Sequence, residues 1–98
     1  MQQTQACPLC KNSAEFDSRD HGNRKHFWCN TCIEFQISRV AENLLASSIP
    51  QWRSEYSEKA KQSNQTKVWV ITKSDAPRQD GVAYEVLKGE YVLRSELP

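Results

Sequence analysis

The four cysteines of this 98-residue chain fall into two pairs, Cys7-Pro8-Leu9-Cys10 and, after 18 intervening residues, Cys29-Asn30-Thr31-Cys32. A two-residue gap lets both sulfurs of a tight turn face one point. Two such turns supply four soft thiolates, which complete the shell of a tetrahedral metal. A chain this short buries a limited share of its surface, so a staple of that kind carries much of its stability. The start, MQQTQACPLC, has neither the charged opening nor the apolar core of a secretory leader, and no apolar run reaches the roughly 20 residues that cross a bilayer. The expectation is therefore a cytoplasmic protein, no membrane contact, and thiols kept from pairing as disulfides. One structural Zn2+ on Cys7, Cys10, Cys29 and Cys32 is the leading reading, with no position left open for water or substrate. A rubredoxin-like iron centre uses the same four ligands, and spacing does not separate the two metals. His21 lies in the turn-like tetrad DHGN, and His26 alternates with Phe27 toward the other side of a strand; the four sulfurs need neither.

The paired C-P-x-C and aromatic-x-C-x-x-C knuckles resemble the zinc-ribbon group. The string from Cys29 through Ile33-Glu34-Phe35-Gln36-Ile37-Ser38 resembles the ribbon of small bacterial and phage proteins. The likeness covers roughly the first 45 residues at the level of fold. It implies a metal-clipped hairpin platform of the kind that often serves polynucleotide machines. Ribbon knuckles commonly carry glycine after the second cysteine, where this chain has Lys11 and Ile33, and Asn30 stands where proline is frequent. The turn after Cys32 is accordingly expected to depart from left-handed glycine geometry.

Residues 1–6 are polar and read as loose. Ala14–Asp17 and Lys25–Trp28 read as strands around the Asp20–Asn23 turn, and Ile33–Ile37 alternates as a third strand. Ser38 reads as the N-cap of a helix with Val40, Ala41, Leu44 and Leu45 on one stripe. Ser48-Ile49-Pro50-Gln51 reads as a capping box opening a second helix, with Ile49, Trp52 and Tyr56 on one face. Lys67–Lys73 is a β-branched strand with apolar residues on both faces, hence central. The segment from Val82 to Ser95 reads as a hairpin turning at Lys88-Gly89, with Val82, Tyr84, Val86, Tyr91 and Leu93 on one face. The expected fold is α+β: a three-stranded zinc ribbon over residues 1–37, then a helix-helix-sheet unit over 38–98 packed with it, its sheet antiparallel and of about three strands.

Net charge is +1, and residues 1–37, 38–66 and 67–98 carry balances of 0, +1 and 0. No segment has the basic excess of a protein that holds phosphates by charge alone. Binding of a divalent ion by four thiolates takes the formal charge to about −1, and Lys11, Arg24 and Lys25 are expected to offset part of it. No G-x-S-x-G, phosphate loop or H-E-x-x-H occurs, so no enzyme activity is expected. The reading is a small zinc-binding interaction module, foremost a protein-binding adaptor, inhibitor or regulator. Its interface candidates are Trp52, Tyr56, Trp69, Tyr84 and Tyr91, and a sheet edge offers a route to a homodimer. The alternative is nucleic-acid binding through Arg19, Arg24, Lys25, His26 and Trp28, a basic and aromatic set around the ribbon hairpin.

Overall fold

A computed structural model describes residues 3–46, 50–77 and 83–97. Six strands form one sheet in chain order: β1 (Gln3–Ala6), β2 (Ser13–Arg19), β3 (Arg24–Cys29), β4 (Ile33–Ser38), β5 (Lys67–Pro77) and β6 (Ala83–Leu93). Neighbours pair antiparallel except β4 and β5, which are parallel. A parallel pair needs a long crossover. Here α1 (Arg39–Ala46) and α2 (Pro50–Ala60) supply it.

This corrects the expectation of a three-stranded ribbon beside a separate three-stranded sheet. Residues 3–6 are a strand, although polar, because β1 is an edge whose side chains have little to bury. Backbone pairing with β2 suffices. Phe35, Gln36 and Ile37 of β4 pair with Trp69, Val70 and Ile71 of β5, so the sheet runs through residue 38 without a break. Lys88-Gly89 is no turn. β6 passes straight through it, and β6 pairs with β5 from Lys67↔Leu93 to Pro77↔Ala83. The glycine meets another demand: a Cβ on Gly89 would lie 2.1 Å from Cζ2 of Trp69, so the indole lies where a side chain would stand. Leu87, Tyr91 and Leu93 therefore share a face with each other and not with Val86. Ser48, Ile49 and Val82 lie outside the described residues.

One face of the sheet carries an aromatic row. Phe16, Phe27, Phe35, Trp69 and Tyr91 are successive cross-strand partners from β2 to β6. Ring centroids are 5.3 Å apart for Phe16 and Phe27, 5.1 Å for Phe27 and Phe35, and 4.8 Å for Trp69 and Tyr91. The helices cover this face with Ala41 and Leu45 of α1 and Tyr56 and Ala60 of α2, each pair four residues apart. Ser38 caps α1 as its sequence suggests, accepting from the Ala41 N–H at 3.1 Å. Arg53 donates to the Leu45 carbonyl at the end of α1. Ser63 joins β4 to β5 just outside their ladder: it donates to the Glu34 carbonyl at 2.8 Å and accepts from the Trp69 N–H at 2.9 Å.

The opposite face is polar and connected. Arg24 donates to Oε1 of Gln36 at 3.0 Å, and Nε2 of Gln36 lies 3.2 Å from Nδ1 of His26. Nε2 of His26 lies 2.6 Å from Glu34, whose carboxylate also accepts two hydrogen bonds from Arg94 at 2.6 and 2.7 Å. Because Gln36 accepts through its oxygen, its amide nitrogen donates, so Nδ1 of His26 is the acceptor and Nε2 carries the proton. Val68 and Val70, on the same face, are also fully buried, which makes β5 the central strand its composition indicates.

Candidate metal centre

Two left-handed residues build the site. The loop from β1 to β2 and the loop from β3 to β4 each run through a pair of cysteines, then turn at Lys11 and Ile33, both with φ of +70°. The knuckles thus take the left-handed geometry without glycine, contrary to the departure expected from the sequence. For β-branched Ile33 that conformation is unfavourable by roughly 1–3 kcal/mol. The side chain gains little in return, being 49% exposed. Hydrogen bonds within each knuckle, and one between them, accompany these corners. The Cys7 N–H donates to Asn12 O at 2.7 Å, the Lys11 N–H to Cys7 O at 2.9 Å and the Glu34 N–H to Cys32 O at 3.0 Å. Asn12 reaches across to the Thr31 hydroxyl at 3.1 Å.

The four sulfurs converge. Every Sγ lies within 4.8 Å of the others, with Cys7 to Cys32 at 3.8 Å and Cys10 to Cys29 at 3.4 Å. Metal–sulfur bonds of about 2.3 Å at tetrahedral angles place sulfurs about 3.8 Å apart. A single ion therefore fits between them with little adjustment. Cys7, Cys29 and Cys32 are buried and Cys10 is half-buried, so the site is closed.

The electrostatics favour a cation. The Cys7 thiol is pushed up strongly, first by its hydrogen bond with Cys32 and then by burial. Burial also raises Cys10. Backbone N–H groups of Cys10 and Leu9 work against this at the Cys7 sulfur, and that of Asn12 at Cys10. Those dipoles suit thiolates, while the crowding of sulfurs forbids four bare negative charges. A divalent cation satisfies both.

One contributor escaped sequence reasoning. Ser57, on the buried face of α2, places its hydroxyl 3.1 Å from the Cys32 sulfur. The only available signal was its helical spacing beside Tyr56 and Ala60, which marks a buried position and not its neighbour. Lys61, one turn further, is raised in pKa first by its Glu58 partner and further by Cys32 and Cys10. Arg24 and Lys25 do not offset the site as expected. They lie at the other end of β3, five and four residues from Cys29, which is roughly 15 Å along a strand.

The proposed nucleic-acid set is divided and engaged. Lys25 faces the helices, 3.1 Å from Glu42 and 2.8 Å from Gln5, whereas the other four share the opposite face. Arg19 pairs with Asp17 at 3.3 Å, and Arg24 and His26 belong to the polar network. Trp28 is half-buried with its ring 4.8 Å from that of His26. Of the aromatic interface candidates, Tyr56 and Trp69 are core, and Tyr91 is half-buried with its hydroxyl on the Lys59 carbonyl at 2.8 Å. Trp52 is 42% exposed, its ring 5.8 Å from that of Tyr56. The side chain of Tyr84 lies outside the described residues. No helix among the described residues is long and apolar enough to cross a membrane. Comparison with known proteins finds no matching family model, curated protein or solved structure.

Proposed function

We propose that this chain is a zinc-stabilised module that docks on another protein. Zinc suits the site because four thiolates satisfy a closed tetrahedral shell without redox chemistry. In such a site the ion is a staple: it holds two strained knuckles together and so makes one end of the sheet rigid. The reading of protein over nucleic acid rests on one observation. Arg19, Arg24, Lys25 and the neutral ring of His26 already have partners within the chain, whereas Trp52 stands exposed with its ring tilted against that of Tyr56. Exposed Trp is the kind of group that dominates protein interfaces.

Elemental analysis of the reduced, purified chain reads one zinc per chain; one iron per chain, with the colour of a thiolate–iron site, overturns the metal assignment. Retention on single- and double-stranded nucleic acid is then measured across a salt series. The expected result is no retention at low salt. Retention that falls steeply with salt and is weakened by Arg24→Gln overturns the protein reading. Cross-linking of the native chain and of Trp52→Ala in cell extract, read by mass spectrometry, identifies protein contacts that the variant loses.

A further inference from the structure

The sheet has two edges, and they differ. β1 is four residues long, a short edge of the kind that resists pairing. β6 is eleven residues long and ends the sheet on the other side, so one row of its N–H and C=O groups faces outward. No described strand pairs with that row.

The side chains of β6 carry a code that can be read against itself. In an antiparallel dimer about a two-fold axis, residues directly opposite must point to the same face, so the axis passes through one residue position. An axis at Lys88 sets lysine against lysine, and one at Glu90 sets glutamate against glutamate. An axis at Leu87 sets Lys88 against Val86, and one at Tyr91 sets Glu90 against Val92 and Lys88 against Arg94. Only the axis at Gly89 sets each Lys88 against the other copy's Glu90. The same register sets Leu87 against Tyr91 on the helix face and Val86 against Val92 on the polar face. Lys88 and Glu90 are exposed and form no ion pair among the described residues. Leu87 and Tyr91 are half-buried and already packed against the core. Gly89 at the axis brings no side chain, and Trp69 covers it from its own protomer.

We propose that the partner of the β6 edge is a second copy of this chain, joined β6 to β6 about Gly89 into a continuous twelve-stranded sheet. The proposal rests on the protein-docking reading and names one partner for it. Lys88 and Glu90 select the register and the partner at once, because each reciprocal pair occurs twice.

Sedimentation of the metal-loaded chain over a range of concentrations tests this with charge variants at exposed positions. The wild type forms a dimer that weakens as salt screens the pairs. Lys88→Glu alone and Glu90→Lys alone each place like charges opposite twice, and each raises the dissociation constant at least roughly tenfold. Mixing the two variants restores association, as a heterodimer, and Lys88→Glu/Glu90→Lys in one chain restores the homodimer. A monomeric wild type overturns the proposal and assigns the two charges to guarding the edge. A dimer indifferent to both variants overturns it in favour of another surface. Neither failure touches the Trp52 cross-linking result, so the docking reading stands or falls separately.

Discussion

Phe27 and Cys29 are two residues apart on β3 and point to the same face, yet different physics holds each in place. Phe27 is fully buried between Phe16 and Phe35, and its neighbours are apolar surface that gains by leaving water. Cys29 is buried among sulfurs that repel as thiolates, beside a turn whose next residue but three is a strained isoleucine. The aromatic row is stable by its own packing. The cysteine end is a conformation that a bound ion would make favourable. A sheet can thus be self-supporting across its middle and conditional at one end.

Breaking the ion should produce the largest effect. Cys29→Ser is expected to lose the metal and, with it, a share of the roughly 10–16 kcal/mol that structural zinc binding supplies to small domains. Hydrogen exchange should show the knuckles and β1–β2 losing protection first. Unchanged metal content and unchanged melting in this variant would remove the contrast altogether. Trp69→Ala addresses the other region. It is expected to cost about 3–5 kcal/mol in chemical denaturation while metal stoichiometry stays at one per chain. Loss of metal in that variant would show the two regions to be one cooperative unit.

Ser57→Ala joins the regions more gently. Removal of the hydroxyl beside Cys32 is expected to weaken metal binding by roughly tenfold or more in chelator competition, as loss of groups behind metal ligands does elsewhere. An unchanged affinity would reduce α2 to a cover. Ile33→Gly relieves the left-handed β-branched position and should stabilise the loaded chain by about 1 kcal/mol, with the smaller gain in the metal-free chain, where the corner is free to relax. Destabilisation there would mean that Ile33 packs more than its exposure shows.

The smallest effect expected is a titration. Burial holds His26 below its ordinary value of 6.5, and the adjacent Glu34 opposes part of that shift. The folded ring stays neutral where an unfolded one takes a proton, so stability falls as pH drops below about 6.5. Glu34 is held below 4.5 first by Arg94, so its contribution is present above that pH and is lost in stronger acid. A ring midpoint in NMR at or above 6.5 would show that the carboxylate outweighs burial.

Much of the site could be read before any coordinates. Cysteine spacing names its own ligands because a knuckle is a local object: four residues determine where two sulfurs point. Ser38 as a cap and Lys67–Lys73 as a central strand were legible for the same reason, a short-range pattern with one physical solution. Gly89 shows the limit. A Lys-Gly pair between apolar runs looks like a turn by local chemistry, whereas the residue that requires the glycine is Trp69, twenty positions earlier and one strand away. β1 hid because backbone pairing leaves no mark on polar side chains. His26, Gln36 and Glu34 looked like separate polar residues of alternating strands until register set them side by side.

By itself, then, the sequence determined the four-cysteine cluster and most of the elements, since each depends on neighbours within a turn or two. Only the tertiary structure decided that the ribbon and the C-terminal strands are one sheet, that Ser57 stands behind Cys32, and that β6 is a sheet edge carrying exposed Lys88 and Glu90. Those outcomes depend on which strand lies beside which, and strand pairing is settled by the burial of whole faces, which no single stretch of chain encodes.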